Sequence, residues 1–285
     1  MKDPILRSVI LLLLTLEASP SAVWGAEDEK MESGELIKRH VASIGTAQAI
    51  AAVRARSIGG TVHVTFRLGG HGDLYGRASI LSEAGKIRIG MTFPSIQYSG
   101  EQLAYDGNRV ATGHVRPGQR TALSHFVYLH ELLLRESLIG GTATTAWALL
   151  STAQRQPELK YTGLKKVEGK RQHELKYRAG RGADDLQISL CFDPETFRHT
   201  SSIYKLVRTA NMATSITESP GQRDAVYKML EQFEDFKQVD GLTLPHTYKL
   251  VFSVEGEPTV LRDWVITIDD LSHNVPIDRK SFAVQ

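Results

Sequence analysis

The chain has 285 residues, a formal net charge of +2 at pH 7 and one cysteine, Cys191. A charge this close to neutral, with Lys and Arg scattered among Asp and Glu, excludes the basic footprint of a nucleic-acid-binding protein. A lone cysteine excludes a disulfide within the chain.

The first 25 residues read as a secretory leader. MKDPILR supplies a weakly basic start, SVILLLLTL an apolar run, and SPSAVWGA the small residues Val23 and Gly25 before a cut placed after Gly25. The apolar run is shorter than the roughly 20 residues a membrane span needs. Its removal takes away Lys2 and Arg7 with Asp3 and Glu17, so the net charge stays at +2. With no cysteine at the cut to receive a lipid, residues 26–285 are expected to be soluble and exported, in a bacterial periplasm, without stable membrane insertion.

Next come two helical patterns. ESGELIKRHVASIG places Leu36, Ile37, His40, Val41 and Ile44 on one stripe and stops at Gly45; TAQAIAAVRAR gives a second, short helix. Then the period changes to two. In TVHVTFRL, Val62, Val64, Phe66 and Leu68 share a face. The glycine-rich GGHGDLYG that follows has Tyr75 where a dinucleotide fingerprint from Gly70 needs glycine, and it lies between two strand patterns, so it reads as a hairpin loop. KIRIGMTF repeats the alternation with Ile87, Ile89, Met91 and Phe93, and weaker versions occupy 74–82, 96–105 and 109–115.

ALSHFVYLHELLLRESL reads as a helix with Leu123, Phe126, Leu129 (or His130) and Leu133 on its stripe. His130-Glu131 opens like a zinc-protease motif, but position 134 is Leu where the second ligand must stand, so no metal site is expected and His130 is expected to be a partly exposed helix residue. Gly140-Gly141 ends the helix, and TATTAWALLS starts another with Ala143, Ala146, Trp147 and Leu150 together.

Alternation then resumes weakly at 159–167, 171–178, 197–207 and 226–239, and strongly in DLQISLCF, YKLVFSV and DWVITID. The last two place Phe252 and Trp264 on the apolar face. Cys191 falls on the polar face of its strand with no motif around it. The adjacent pairs Asp184-Asp185 and Asp269-Asp270 point to opposite faces, so neither forms an acid–base couple. No Gly-x-Ser-x-Gly elbow occurs.

Half-wet alternation belongs to antiparallel strands, and the turn signals Asp106-Gly107-Asn108, Asp193-Pro194-Glu195 and Asp240-Gly241 separate about ten to twelve of them. So large a sheet curls. The expected fold class is α+β: a strongly curved antiparallel half-barrel whose concave apolar face is plugged by a few helices. Either the helices pack tightly on the sheet or an apolar cavity remains between them.

Four segments carry a family resemblance. LCFDPETFRHTSSIYKL (190–206) and FEDFKQVDGLTLPHTYKLVF (233–252) are strand–turn–strand units, ELIKRHVASIGTAQAIAAVRARSIGGTV opens the chain after the leader, and HNVPIDRKSFAV closes it. Together they resemble the outer-membrane lipoprotein-sorting proteins, the LolA/LolB-like periplasmic carriers. The resemblance implies that 26–285 is one lipid-binding half-barrel domain. It implies a non-catalytic carrier or binding protein holding lipid or lipoprotein acyl chains, with no cofactor and with hand-off to an envelope protein partner. On this reading the sheet would line the cavity with Phe66, Ile89, Met91, Phe93, Phe252 and Trp264. The lid side would present Phe126, Leu129, Leu133, Leu138, Trp147 and Leu150, hinged at Gly140 and Gly141. A sixteen-carbon chain, at about 0.8 kcal/mol per buried methylene, would gain on the order of 10 kcal/mol. Two rivals remain: an envelope protein-binding or sensor module, favoured by an open groove, and an enzyme with a dispersed active site.

Overall fold

Every alternating segment forms a strand in the computed structural model, which describes residues 31–114, 118–180, 185–208, 224–256 and 259–284. The predicted leader and Asp184 lie outside the described residues. The strands are β1 Ala55–Leu68, β2 Gly72–Glu83, β3 Lys86–Thr92, β4 Gly100–Tyr105, β5 Val110–Thr112, β6 Glu158–Val167, β7 Lys170–Arg178, β8 Gln187–Phe192, β9 His199–Arg208, β10 Ala225–Val239, β11 Leu242–Glu255 and β12 Val260–His273. They make one antiparallel sheet in the order β5-β4-β3-β2-β1-β12-β11-β10-β9-β8-β7-β6. The order is sequential on both arms, and the arms join where β1 pairs with β12. The sheet is not closed: β5 and β6 are its two edges. This is the curved half-barrel with a few helices.

Local chemistry sets the turns. Asp240 and Gly241 both take positive φ (49° and 78°), which suits a two-residue hairpin between β10 and β11. The Asp193 carboxylate accepts from the backbone N–H of Glu195 at 3.1 Å and of Thr196 at 2.8 Å, closing the β8–β9 turn.

Helices are scarce. α1 Ser33–Ile44 buries Leu36, His40 and Ile44, and α2 is Ala47–Ala52. The single helix expected from Ala122 onward is instead two, α3 Ala122–Leu129 and α4 Leu132–Arg135, broken at His130 (φ −113°, ψ 60°). TATTAWALLS is not a helix. It forms two 3-10 turns, Gly141–Ala143 and Ala148–Leu150, before the short α5 Thr152–Arg155. Thr and Gly favour turns over helix interiors, and contacts from the sheet take up the backbone groups a helix would have paired internally.

Those contacts hold residues 136–150 against the concave face. Glu231 on β10 accepts from the Gly140 N–H at 2.7 Å, and Tyr204 on β9 donates to the Leu138 carbonyl at 3.0 Å. Tyr204 and Tyr248 also reach the Glu231 carboxylate, at 2.7 and 2.5 Å. The buried Arg56 donates to the Thr142 carbonyl at 2.8 Å, and Ser82 accepts from the Thr145 N–H at 2.9 Å. Trp147 donates its indole N–H to His40 Nε2 at 2.9 Å, while His40 Nδ1 donates to the Phe197 carbonyl at 3.0 Å. An indole can only donate and a carbonyl only accept, so this pair fixes His40 as the neutral Nδ1–H tautomer. Burial lowers its pKa to about 4.

One more sequence expectation is corrected here. His130 is buried, not partly exposed, because the chain turns inward at the break between α3 and α4. Cys191 is also fully buried: although its strand position faces away from the apolar core, its thiol lies beside Ser201, and burial raises its pKa to about 12.

Candidate binding groove

The first turn of α3 is bolted to the sheet by a buried carboxylate. Glu101 on β4 accepts from Tyr98 at 2.8 Å, Thr121 at 2.7 Å and Ser124 at 2.6 Å. Thr121 also caps α3, accepting from the Ser124 N–H at 3.0 Å. Trp264 donates to Tyr98 at 2.9 Å, so the cap, the carboxylate and the centre of the sheet form one chain of hydrogen bonds. Burial pushes the Glu101 pKa up, against those donors.

Held this way, α3 aims Phe126 at the strands. Its ring centroid lies 5.4 Å from that of Phe252 and 6.1 Å from that of Tyr227, the latter nearly parallel. Between α3 and the adjacent ends of β9, β10, β11 and β12 a groove of about 190 Å³ remains. Phe126, Leu129, Leu206, Tyr227, Val254 and Val260 make it apolar; Arg208 and His125 stand at its exposed rim, and Ala122 and His130 complete the lining. The Arg208 guanidinium sits 5.9 Å from the Tyr227 ring centroid, within cation–π range. Leu129 is 47% exposed, unusual for a leucine on a helix packed against a sheet.

The groove gathers a minority of the residues expected to face a guest. Phe126 and Leu129 line it, and Phe252 backs Phe126. Leu133 of α4 and Leu138 and Trp147 of the covering segment 136–150 are buried, and Ile89, Met91, Phe93 and Trp264 are buried in the sheet opposite. Phe66 and Leu150 are half-buried. Gly140 and Gly141 have positive φ (82° and 45°) but are buried and pinned. An alanine Cβ at 141 would meet His199 Nδ1 at 2.7 Å and Phe233 Cζ at 2.8 Å.

Sequence reasoning passed over the two buried carboxylates and most of the groove wall. Both carboxylates had a readable signal, because each is in phase with its strand's apolar face: Glu101 with Leu103 and Tyr105, Glu231 with Met229 and Phe233. Leu206, Tyr227 and Val254 sat in alternating segments, but nothing local marks them as neighbours of α3.

Fold and site together define an open α+β half-barrel with an apolar groove at its mouth. Among solved structures, the fold is similar to that of a DUF1329 family protein from Desulfovibrio piger (10% identity, 88% of this chain and 96% of that chain, TM-score 0.44). It is similar to a putative outer membrane lipoprotein-sorting protein domain from Vibrio parahaemolyticus (11% identity, 87% and 94%, TM-score 0.44). It is also similar to a LolA superfamily protein from Nitrosomonas europaea (11% identity, 89% and 98%, TM-score 0.46). No protein-family model and no curated protein sequence matches the chain. Among the described residues, no helix is long and apolar enough to cross a membrane.

Proposed function

We infer that this chain is an exported, non-catalytic binding protein whose groove seats the end of an acyl chain. The observation that carries the reading is the groove itself: six apolar side chains with an arginine and a histidine at the rim. An apolar channel closed by a cationic edge matches an alkyl tail that ends in, or lies close to, an anionic head.

The size of the groove changes the energetics expected from sequence. Its 190 Å³ is somewhat more than the ~150 Å³ cavity that accommodates benzene, so it takes roughly six to eight carbons, not sixteen. At about 0.8 kcal/mol per methylene the gross gain is on the order of 5 kcal/mol. That corresponds to a dissociation constant of about 0.1–1 mM before the rim contributes. Binding this shallow needs no nucleotide-driven release: the rest of the tail stays outside the groove, available to an acceptor.

Titration of the mature protein with cis-parinaric acid, a slim fatty acid whose conjugated tail is itself the fluorophore, tests the reading. Saturable fluorescence enhancement is expected, weakened at least about tenfold by Leu129→Glu with little change in melting temperature, because Leu129 is already half exposed. No saturable uptake, or uptake unaffected by Leu129→Glu, overturns it.

The openness of the groove favours one second reading, an apolar side chain from an envelope partner protein as the guest. A Leu129→Glu variant that keeps fatty-acid uptake but no longer retains a partner from an envelope extract would select it.

A further inference from the structure

A second concavity of about 390 Å³ lies beside α3, bounded by the edge strand β5, by Tyr128, Glu131 and Arg135 of the α3–α4 region, and by Val284. Its chemistry is unlike the groove's. Arg109, Arg120 and Arg135 line it with His114, and Glu131 is the one carboxylate among the described residues of the lining. Glu131 is already engaged, 2.9 Å from Arg135. Three guanidinium groups line the cleft against one carboxylate; Asp106, outside the lining, feels the charge of Arg109, so Arg120 is the guanidinium left with no acidic partner among the described residues.

Arg120 is pre-set for a ligand. Its Nε donates to Thr112 Oγ1 at 2.8 Å and its guanidinium lies 3.9 Å from the Tyr128 ring centroid. The flat fork is held from one edge and one face, while its two terminal nitrogens have no hydrogen-bond partner among the described residues. That is the half of an arginine that takes an oxyanion in bidentate fashion, with little rotamer entropy left to lose. Arg109 is exposed, and the Asp106 carboxyl is held below its usual range by the backbone N–H groups of Arg109 and Asn108 and, to a lesser degree, by the Arg109 charge.

We propose that this cleft binds a phosphate monoester, with the fork of Arg120 as its principal ligand and Arg109 and Arg135 completing the charge. A monoester carries about −1.5 to −2 at pH 7 and offers three acceptor oxygens to the three guanidinium groups, where a carboxylate brings two oxygens and a single charge. The volume exceeds that of a bare phosphate, and Val110, Ala111 and Val284 give the esterified group an apolar surface to lie on. The site is separate from the acyl groove and stands or falls without it.

The mature chain is titrated with inorganic phosphate and phenyl phosphate by calorimetry, and sedimented with vesicles of phosphatidic acid or of phosphatidylcholine alone. The expected result is saturable binding of at least one phosphate monoester probe. That binding falls at least about tenfold in both Arg120→Gln and Arg109→Gln, the scale of a lost charge-assisted pair. It is unchanged in Arg77→Gln, an exposed arginine on β2 paired with Asp269 at 3.6 Å. Binding of phenyl phosphate in solution assigns a free ligand. Binding only to phosphatidic acid vesicles assigns a lipid headgroup. Either result supports the site. No saturable binding of any monoester probe, retained binding in Arg109→Gln, or equal weakening in Arg77→Gln overturns it. Should Arg120→Gln fail to fold, the exposed Arg109→Gln gives the reading alone.

Discussion

At the scale of single residues, the covering segment depends on side chains that are absent as much as on those present. Gly141 occupies left-handed backbone with no room for a Cβ. An alanine there meets roughly 1–2 kcal/mol of backbone strain and a further 1–3 kcal/mol of overpacking against His199 and Phe233. Gly85 has a similar positive φ (83°) but open space around it. Gly141→Ala is therefore expected to lower unfolding free energy in urea by about 2–5 kcal/mol, and Gly85→Ala by about 1–2 kcal/mol. Equal losses would show that packing around residue 141 is looser than described. In sequence the glycine pair reads as a helix stop, but α4 already ends at Arg135 and Gly140 instead leads into a 3-10 turn. The pair's close approach to β9 and β10 was not legible, because the partners lie more than fifty residues away.

At the scale of elements, the strands were readable and the covering segment was not. Alternation such as Ile87, Ile89, Met91 reports a face directly, and Asp240-Gly241 reports a turn. The segment around Trp147 carries a helix-like stripe, yet its path is set by Glu231, Arg56, Ser82 and His40 from distant strands and from α1. Those anchors make its stability depend on pH. Burial lifts the Glu231 pKa from about 4.5 to about 7. Between those values the folded chain holds a proton that the unfolded chain has lost, so this residue alone makes stability fall as pH rises. His40 acts in the opposite sense. Its pKa is lowered from 6.5 to about 4, so the unfolded chain binds the extra proton and stability rises with pH across that window. His199, buried beside it, is lowered well below 6.5 and adds to the rise. Glu231→Gln keeps an acceptor for Gly140 and Tyr248, while Tyr204 retains the Leu138 carbonyl. The variant is expected to steepen the rise in stability between about pH 5 and 6.5 by one proton's worth, about 1.4 kcal/mol per pH unit. Parallel wild-type and variant curves from urea melts would refute this account of Glu231.

For the whole molecule, the open sheet leaves two edges that must be kept from pairing with other chains. β5 has only three residues, too short to template much. β6 has ten, and its exposed Lys160, Lys165 and Lys166 make it a poor partner. Replacing Lys160 and Lys165 together with Val is expected to shift the protein toward larger species in size-exclusion chromatography with light scattering at micromolar concentration. An unchanged profile would place the protection elsewhere. The curved sheet itself followed from alternation. The groove did not, since it exists only where α3 meets four strand ends, a meeting no local pattern encodes.

The pairing of β1 with β12 carries a consequence for biogenesis. Each arm of the sheet is a meander of neighbours and can zip up as the chain is synthesised. The seam between them cannot, because β12 is the last strand to arrive, 192 residues after β1 ends when counted from Leu68 to Val260. Until then Trp264 is missing from its place against Val64 and Leu250, and so is its bond to Tyr98. A chain halted short of its final forty residues is thus two unjoined ribbons with bare oily faces, the state in which an escorting chaperone has most to hold.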